Sequence, residues 1–313
     1  MNILIAGGSG FIGRALITAL QNEHQITVVG RDKTRLQSMF GNAIATVSWQ
    51  ELPLQKAADF DAIINLSGHN IAASRWNETT KQNIIESRVQ TNQQLIDWVI
   101  NQQATPHYYC ANAIGIYGMQ ENGDTAAFDD STVIDYQHPH DYLAEVGIRW
   151  EQSLQPAIDA GLPVTITRFG VVLKKNEGML KKLVPSFYFA AGAIVGDGQQ
   201  VISWVHIDDV VAAYQFLLQH PQLTGSFNLC APNPVSQAEF AKTLAATLHR
   251  PLFLKMPAFA VKLMFGEMGE CLLLKGQRVL PSRLISSGFA FHYPSLDEAL
   301  ARSLYTQVPS NLT

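Results

Sequence analysis

Short apolar runs alternate with longer amphipathic stretches through the first half of the chain. The runs have the length of buried strands, and the stretches between them have the apolar spacing of helices. Strands are predicted at 3–6, Gln25–Val29, Asp61–Gly68, His107–Ala113 and Pro163–Phe169, and helices at Arg14–Gln21, Glu78–Gln102 and Asp141–Ala160. Because strand and helix alternate, we expect an α/β fold built on a doubly wound parallel sheet.

The pattern changes after Phe169. An apolar segment at Met179–Ala191 is followed by a glycine-rich loop at Gly192–Gln200. Further helices are predicted at Asp208–Gln219, Gln237–Leu248 and Ala258–Leu274, and the tail Val308–Thr313 is expected to fray. The apolar side chains of the last helix, including Phe259 and Met264, are predicted to be core rather than an exposed dimer patch.

The composition excludes several classes of protein. Of 313 residues, 47% are hydrophobic and 15% are charged, so the chain is not disordered. The net charge is -4 and no basic patch stands out, so no nucleic-acid partner is expected. No apolar stretch reaches the ~18–20 residues of a membrane span, and no signal peptide precedes the first strand. We therefore expect a cytoplasmic monomer or homodimer with no membrane contact.

The cysteines give no sign of a metal site or a disulfide framework. Cys110, Cys230 and Cys271 lie far apart and form no CxxC pair. An odd number at this spacing is typical of free thiols in a protein interior. No metal is expected.

A glycine loop follows the first strand. Gly7–Gly13 reads GGSGFIG, a GxxGxxG pattern between a strand and a helix. This is the position of the phosphate-binding turn in a Rossmann-type unit, although a merely structural turn would also suit glycine. In the first interpretation Gly7 allows the tight turn, Gly10 lets the backbone approach a pyrophosphate, and Gly13 lets the helix pack on the strand. The cofactor-binding candidates here are Gly7, Ser9, Gly10, Phe11, Ile12 and Gly13.

The end of the second strand bears on the choice of dinucleotide. NAD sites usually place an acid there for the ribose hydroxyls, whereas NADP sites leave room for a phosphate and an arginine. Here Gly30 leaves room, and Arg31 can hold a phosphate in bidentate fashion, with Lys33 and Arg35 adding to the field. In the alternative, Asp32 binds the ribose, although Asp32 also suits the N-cap of the next helix. We favour NADP over NAD.

A third candidate segment closes the strand predicted at Asp61–Gly68. It ends in Asn65-Leu66-Ser67-Gly68, small and polar residues at the carboxyl edge of the sheet, where a bound dinucleotide runs. Leu66, Ser67 and Gly68 are therefore further cofactor-binding candidates.

These segments carry a family resemblance that spans nearly the whole chain. The N-terminal half resembles the extended short-chain dehydrogenase/reductase superfamily and its NAD-dependent epimerase/dehydratase family. The segments that carry this resemblance are Gly7–Gly13, Asn65–Gly68 and Ile116-Tyr117-Gly118. A second set of segments resembles the epimerase-like subfamily that carries a C-terminal domain of unknown function. These segments are Asn65–Arg88, Ser203–Asp209, Gly276–Pro281, Gly288–Phe291 and Tyr293-Pro294. The resemblance implies that residues 1–170 and about 203–230 form the NAD(P)-binding domain. It assigns about 171–202 and 231–313 to a discontinuous substrate-binding lobe.

The superfamily's proton relay is incomplete in this chain. That relay uses Ser, Tyr and Lys, with Tyr and Lys one helical turn apart as YxxxK. The candidate tyrosine is Tyr142, and the lysine position holds Val146. The serine position falls at Asn112 by register with Tyr117, with Cys110 and Ala113 close enough to leave the register open. Tyr142 and Asn112 are the catalytic candidates, both predicted to face the substrate. Tyr142 is either a general acid/base or an ordinary aromatic packed near the cofactor, and Asn112 can donate a hydrogen bond to a carbonyl.

Other polar side chains have both a binding and a structural interpretation. Lys81 and Arg88 are seven residues apart on one helix face and either anchor an anionic substrate or make structural contacts. His206 is expected to be a packing histidine, with Asp208 as a helix cap.

Two functions follow. The first is an NADP-binding epimerase-like oxidoreductase that transfers hydride to or from a small carbonyl or nucleotide-sugar-like substrate. The second is an NADP-binding regulatory or scaffold protein that has lost the relay. Val146 favours the second, and the cleft-lining segments favour the first.

Overall fold

The computed structural model describes residues 1–305, which fold as two compact units. One unit comprises Met1–Gly118, Ile134–Arg168 and Val211–Phe227. The other comprises Met119–Val133, Phe169–Val210 and the chain from Asn228. The tail Val308–Thr313, for which fraying is predicted, lies outside the described residues.

The strands and helices are numbered here in chain order. The strands are β1 Asn2–Ala6, β2 Gln25–Gly30, β3 Ala45–Ser48, β4 Ala62–Asn65, β5 His107–Ala113, β6 Val164–Phe169, β7 Val171–Leu173, β8 Ala193–Val195, β9 Val201–Ile202, β10 Trp204–His206, β11 Gly225–Leu229, β12 Val235–Ser236 and β13 Leu254–Met256. The α-helices are α1 Phe11–Leu20, α2 Lys33–Phe40, α3 Glu78–Asn101, α4 Tyr142–Gln152, α5 Gln155–Asp159, α6 Gly178–Tyr188, α7 Ile207–Gln219, α8 Gln237–Thr247, α9 Ala258–Gly269, α10 Ser282–Ser286 and α11 Leu296–Tyr305.

A seven-stranded sheet has the order β11-β6-β5-β4-β1-β2-β3. Strands β1, β2, β3, β4 and β5 pair in parallel with their neighbours, and residues 3–6 of β1 are fully buried. Burial on both faces explains the uninterrupted apolar sequence of β1, because helices cover both sides of a doubly wound sheet. The predicted α/β, Rossmann-type architecture is confirmed.

The strand order reverses between β1 and β4. From β1 the chain builds outward through β2 and β3, and it then returns to β4 and builds the other way. Ala6 at the end of β1 pairs with Asn65 at the end of β4. Ligands of open α/β sheets bind outside the carboxyl ends of the strands at such a switch point. The segments after β1 and β4 therefore begin side by side at the place where this fold binds ligands.

The second unit contains three small sheets and its own core. β7 pairs in parallel with β10, β8 in parallel with β13, and β9 antiparallel with β12. Its core includes Trp204, Phe240, Leu244 and Leu300, all at most 1% exposed.

The last apolar segment differs from its prediction. Gly266 has a positive φ of 63° inside α9, and a π-helical turn, Glu270–Leu274, follows the helix. Phe259 is 74% exposed and Met264 51% exposed, so the prediction that they belong to the core is wrong. The kink at Gly266 explains why one helical period does not describe 258–274.

Within residues 1–305, no helix is both long and apolar enough to cross a membrane. The same residues hold no cluster of three or more His, Cys, Asp or Glu that could bind a metal ion. Cys110 and Cys230 are buried free thiols, and Cys271 is a partly exposed one.

Candidate functional site

The glycine loop after β1 is shaped by positions that admit no side chain. Gly7 has φ +77°, and a Cβ there would lie 2.6 Å from the carbonyl carbon of Leu66. A Cβ at Gly13 would lie 2.6 Å from both the Gly7 oxygen and the Gly8 Cα. Both obstacles are backbone atoms, which cannot rotate away. The turn and the close packing of α1 on the loop therefore require glycine at positions 7 and 13.

The start of α1 presents free backbone donors. Gly10 is the N-cap and no side chain caps the helix, and the first helical bond runs from the Arg14 nitrogen to the Gly10 oxygen at 2.9 Å. The N–H groups of Phe11, Ile12 and Gly13 therefore have no i−4 acceptor within the helix, and they lie at the positive end of the helix dipole. Such an arrangement suits a phosphate. Ser9 is exposed, and its carbonyl accepts a bond from Arg14 Nη1 at 2.5 Å.

Of the residues after β2, Asp32 and Lys33 bind partners within the protein, whereas the Arg31 side chain is exposed. Asp32 caps α2 through a bond from the Arg35 nitrogen at 2.9 Å. The Lys33 ammonium lies 2.8 Å from a carboxyl oxygen of Glu51. The hydrogen bond from Lys33 makes the largest contribution to lowering the pKa of Glu51 to about 2. Lys33 is therefore neutralised by an acid that the sequence did not indicate. Arg31 is exposed beside the side-chain-free Gly30.

A buried polar network holds the segment after β4. The side-chain oxygen of Asn65 accepts a bond from the Ser67 nitrogen at 3.0 Å, while its amide donates to Asn92 on α3 at 2.6 Å. The Leu66 nitrogen donates to the Ala6 carbonyl at 2.9 Å. These bonds fix Leu66 and Ser67 next to the glycine loop. Gly68, which follows them, is exposed.

Tyr142 lies at the first position of α4, which begins there because Asp141 caps the helix at the Ala144 nitrogen. The Tyr142 hydroxyl donates to the backbone carbonyl of Lys81 at 2.9 Å. The Lys81 ammonium lies 5.1 Å from the centre of the Tyr142 ring, and the Trp76 ring contacts the same tyrosine edge-on. A cation thus stands beside Tyr142, although it comes from α3 and not from position i+4.

Val146 is part of an apolar cluster and not of a polar relay. It is 7% exposed and packs with Ile84 and Ile85 of α3, with Trp76 and Tyr142 at the edge of the cluster. The side chain at this position points into a helix–helix contact. A lysine there would bury its ammonium among aliphatic groups.

Asn112 is engaged in the protein interior. Its amide donates to the Gly147 carbonyl at 3.1 Å and to Glu151 at 2.8 Å, and its oxygen accepts from the Ala113 nitrogen at 2.8 Å. Both amide hydrogens are therefore used. Neighbouring residues of a strand point to opposite faces, and Ala113 is the exposed one. These contacts favour a supporting role for Asn112 over contact with a substrate.

Glu151 is the centre of a buried charged network that the sequence did not indicate. Arg168 bonds it in bidentate fashion, from Nε at 2.8 Å and Nη2 at 2.9 Å. Tyr136 donates to the same carboxylate at 2.8 Å, and Arg168 donates to the Tyr117 hydroxyl at 2.8 Å. The signal available in the sequence is a charged residue inside an apolar strand, since Arg168 belongs to β6.

His206, in the second unit, is a packing residue. It is 2% exposed, its ring contacts Tyr293, and its Nδ1 accepts a bond from the Asp208 nitrogen at 3.1 Å. Burial lowers the pKa of His206 to about 4, so the ring is neutral at pH 7. The interpretation of His206 as a structural histidine fits these contacts.

Comparison with known proteins decides the family. The model of the NAD dependent epimerase/dehydratase family matches residues 3–230, and a domain of unknown function, DUF1731, matches residues 256–303. The chain belongs to the NAD dependent epimerase/dehydratase family. The predicted family and its C-terminal domain are thereby confirmed.

Relatives in this family match along most of their length. The chloroplastic SDR39U1 homolog of Arabidopsis thaliana is 36% identical over 310 residues, covering 96% of this chain and 86% of that protein. The crystal structure of human epimerase family protein SDR39U1 with NADPH has a TM-score of 0.86 and 29% identity, covering 97% of this chain and 99% of the human chain. A Bacillus cereus UDP-glucuronic acid 4-epimerase solved with NAD, at 16% identity and a TM-score of 0.73 (96% of either chain), shares the fold.

Proposed function

We propose that this chain binds NADP(H) along the carboxyl edge of the sheet and transfers hydride to or from a small carbonyl or nucleotide-sugar-like substrate. The observation that carries the proposal is the glycine loop. It places the uncapped start of α1 at the switch point of the sheet, beside the Leu66–Gly68 segment. The NADPH in the human relative's structure supports the same assignment.

The proposed contacts follow from the positions of the candidates. The pyrophosphate would lie against the N–H groups of Phe11, Ile12 and Gly13, with Gly10 and the Ser9 hydroxyl at its side. Leu66, Ser67 and Gly68 would border the nicotinamide half. The cofactor supplies the hydride chemistry, and the protein positions it and the substrate.

Arg31 is the proposed selector of NADP over NAD. It is exposed and lies beside Gly30, while Asp32 is engaged in capping α2. Lys33 contributes little field, because Glu51 neutralises it. The selectivity therefore depends mainly on Arg31, with Arg35 as a further exposed cation.

Tyr142 is proposed as the group that exchanges a proton with the substrate. To do so, its hydroxyl must leave the Lys81 carbonyl, and the Lys81 ammonium beside the ring stabilises developing negative charge. Asn112 is proposed as a positioning residue that holds Glu151 and the start of the Ala113 turn. The lobe formed by about 171–202 and 231–313 is proposed to bind the substrate.

The second candidate function is an NADP(H)-binding regulatory or scaffold protein. The observation in its favour is that none of the three relay positions is in a catalytic state. Asn112 is fully bonded, Tyr142 donates to a backbone carbonyl, and Val146 is buried among aliphatic side chains. Cytoplasmic location and a monomeric or homodimeric state stay predictions in either case.

Turnover separates the two candidates. The purified chain should oxidise NADPH with at least one member of a panel of small aldehydes, ketones and 4-keto nucleotide sugars. Tyr142→Phe should then lower kcat by at least about a hundredfold, the usual size of a general acid/base contribution. If kcat is the same in the parent chain and in Tyr142→Phe, this tyrosine does not take part in the mechanism. Tight NADPH binding without turnover across the panel supports the regulatory function.

A further inference from the structure

Arg88, on α3, is a cation packed beneath the end of the β4 segment. A Cβ on Gly68 would lie 3.0 Å from its guanidinium carbon and 3.2 Å from Nη2. The guanidinium carbon also lies 4.7 Å from the ring centre of Trp150 on α4. A side chain at position 68 would therefore crowd this group.

The hydrogen bonds of Arg88 leave part of the guanidinium unused. Nη1 donates to the carbonyls of Ile84 at 2.7 Å and His69 at 3.1 Å. Nε is sealed from solvent and has no partner, whereas Nη2 is not among the sealed atoms and donates to no acceptor within residues 1–305. No carboxylate in that part of the chain pairs with Arg88.

Such a cation costs free energy in the folded protein. Arg88 is half-buried, with its Nε sealed from solvent, and a charge withdrawn from water in this way normally has a counter-ion because its desolvation is unfavourable. Burial lowers the pKa of Arg88 to about 10, and the nearby Tyr142 opposes that shift, so the group is still charged at pH 7. Two backbone carbonyls and an aromatic face satisfy it only in part. A retained cation with a free donor edge is typical of a site that receives an anion.

We propose that Arg88 binds an oxyanion of the substrate, a carboxylate or phosphate oxygen that approaches Nη2 beside Gly68. The proposal rests on the proposed function, because Gly68 ends the segment assigned to the cofactor, and it narrows the substrate to an anionic carbonyl compound. Lys81 lies two turns earlier on the same face of α3, beside Tyr142. Arg88 would hold the charged end of the substrate, and Tyr142 would face its carbonyl.

Trp150 provides a reporter that needs no turnover. Its indole N–H is buried and has no partner in the part of the chain that the structure describes, and its ring touches the Arg88 guanidinium. Malonate and inorganic phosphate are titrated into ¹⁵N-labelled protein, with and without NADPH, and the indole resonance is assigned through Trp150→Phe. Both anions should shift this resonance to saturation. Arg88→Gln should weaken that binding by at least about tenfold, the value of a charge-assisted hydrogen bond, and leave NADPH affinity within twofold.

Two variants control the experiment. Arg149→Gln removes an exposed cation from the same helix as Trp150 and should leave anion binding unchanged. Gly68→Ala keeps the charge but places a methyl group against Nη2, so it should weaken anion binding even if Arg88→Gln does not fold.

The outcomes that overturn the proposal are distinct. If the parent chain and Arg88→Gln bind the anions with equal affinity, Arg88 does not form the anion site. A tenfold loss of NADPH affinity in Arg88→Gln, with no anion effect on Trp150, assigns the cation to the cofactor's own phosphates and also overturns it. Failure of the parent chain to bind NADPH would contradict the proposed function, and the titration without NADPH would still decide the role of Arg88.

Discussion

Gly13 shows how one absent methyl group shapes the site. A Cβ at this position would meet the Gly7 oxygen and the Gly8 Cα, both at 2.6 Å. We expect Gly13→Ala to push α1 away from the loop, lower the free energy of unfolding by about 2 kcal/mol, and weaken NADPH binding by at least about tenfold. Denaturant unfolding and NADPH fluorescence titration measure the two effects.

Gly41→Ala is the matched control for that variant. Gly41 has a positive φ, of +65°, which Gly13 does not, and a Cβ there would meet nothing within 4 Å among the described residues. The substitution should cost about 1 kcal/mol through backbone strain and leave NADPH affinity unchanged. If Gly13→Ala left NADPH affinity unchanged, as Gly41→Ala should, the close approach of α1 to the glycine loop would not matter for binding.

Val146 occupies the position of the superfamily's relay lysine, and its surroundings do not accommodate a lysine. Position 146 is enclosed by Ile84 and Ile85, so Val146→Lys would bury an ammonium in an apolar contact. We expect this variant to lose about 3 kcal/mol of stability or more, and to gain no turnover. Val146→Ile, which keeps the position apolar, should cost only about 1 kcal/mol. A stable Val146→Lys protein with faster turnover would refute this interpretation of the site.

At the residue scale, the sequence indicated the backbone positions better than the side-chain roles. Gly7 and Gly13 were predictable because the reason for glycine is local, a tight turn and a close contact within seven residues. The partner of Lys33 was not, because Glu51 comes from beyond β3. The position of Lys81 beside Tyr142 also depends on how α3 and α4 pack, which spacing along one helix cannot reveal.

At the element scale, the buried ion pair links α4 to two strands of the sheet. Glu151 on α4 bonds Arg168 on β6 and Asn112 on β5, and both members of the ion pair are about 5% exposed. Removing one partner would leave the other charge buried and unpaired. We expect Glu151→Ala to lower the free energy of unfolding by about 3–5 kcal/mol, measured by urea denaturation.

Glu145→Ala is the comparison on the same helix. Glu145 pairs with Arg149 at 3.5 Å on an exposed face, so its loss should change stability by less than about 0.5 kcal/mol. A similarly small effect of Glu151→Ala would show that the α4 network does not stabilise the packing of α4 on β5 and β6.

The elements themselves were predictable where they are strongly apolar. The strands at β1, β2, β4, β5 and β6 match their predictions to within a few residues at either end. Strand β3, Ala45–Ser48, has only partial burial and was missed. The predicted helix at Asp141–Ala160 is divided into α4 and α5, since Pro156 lies in the first turn of a new helix and is compatible with a start but not with an interior position.

At the scale of the whole molecule, the near-neutral composition conceals local charge. The chain carries -4 overall, yet the proposed site combines the exposed Arg31 with the half-buried Lys81 and Arg88. Phosphates and a substrate oxyanion would offset this positive charge. The low fraction of charged residues, 15%, follows from a sheet whose central strands are buried on both faces.

The glycine loop and Arg31 are proposed to form an NADP(H) site together. The most direct test of this proposal is a fluorescence titration of the purified chain with NADPH and with NADH, repeated on Arg31→Ala. We predict that NADPH binds at least about tenfold more tightly than NADH, and that Arg31→Ala removes this difference by weakening NADPH alone, as expected for one lost charge-assisted phosphate contact. Equal affinity for the two dinucleotides, or no binding of either, would contradict the account.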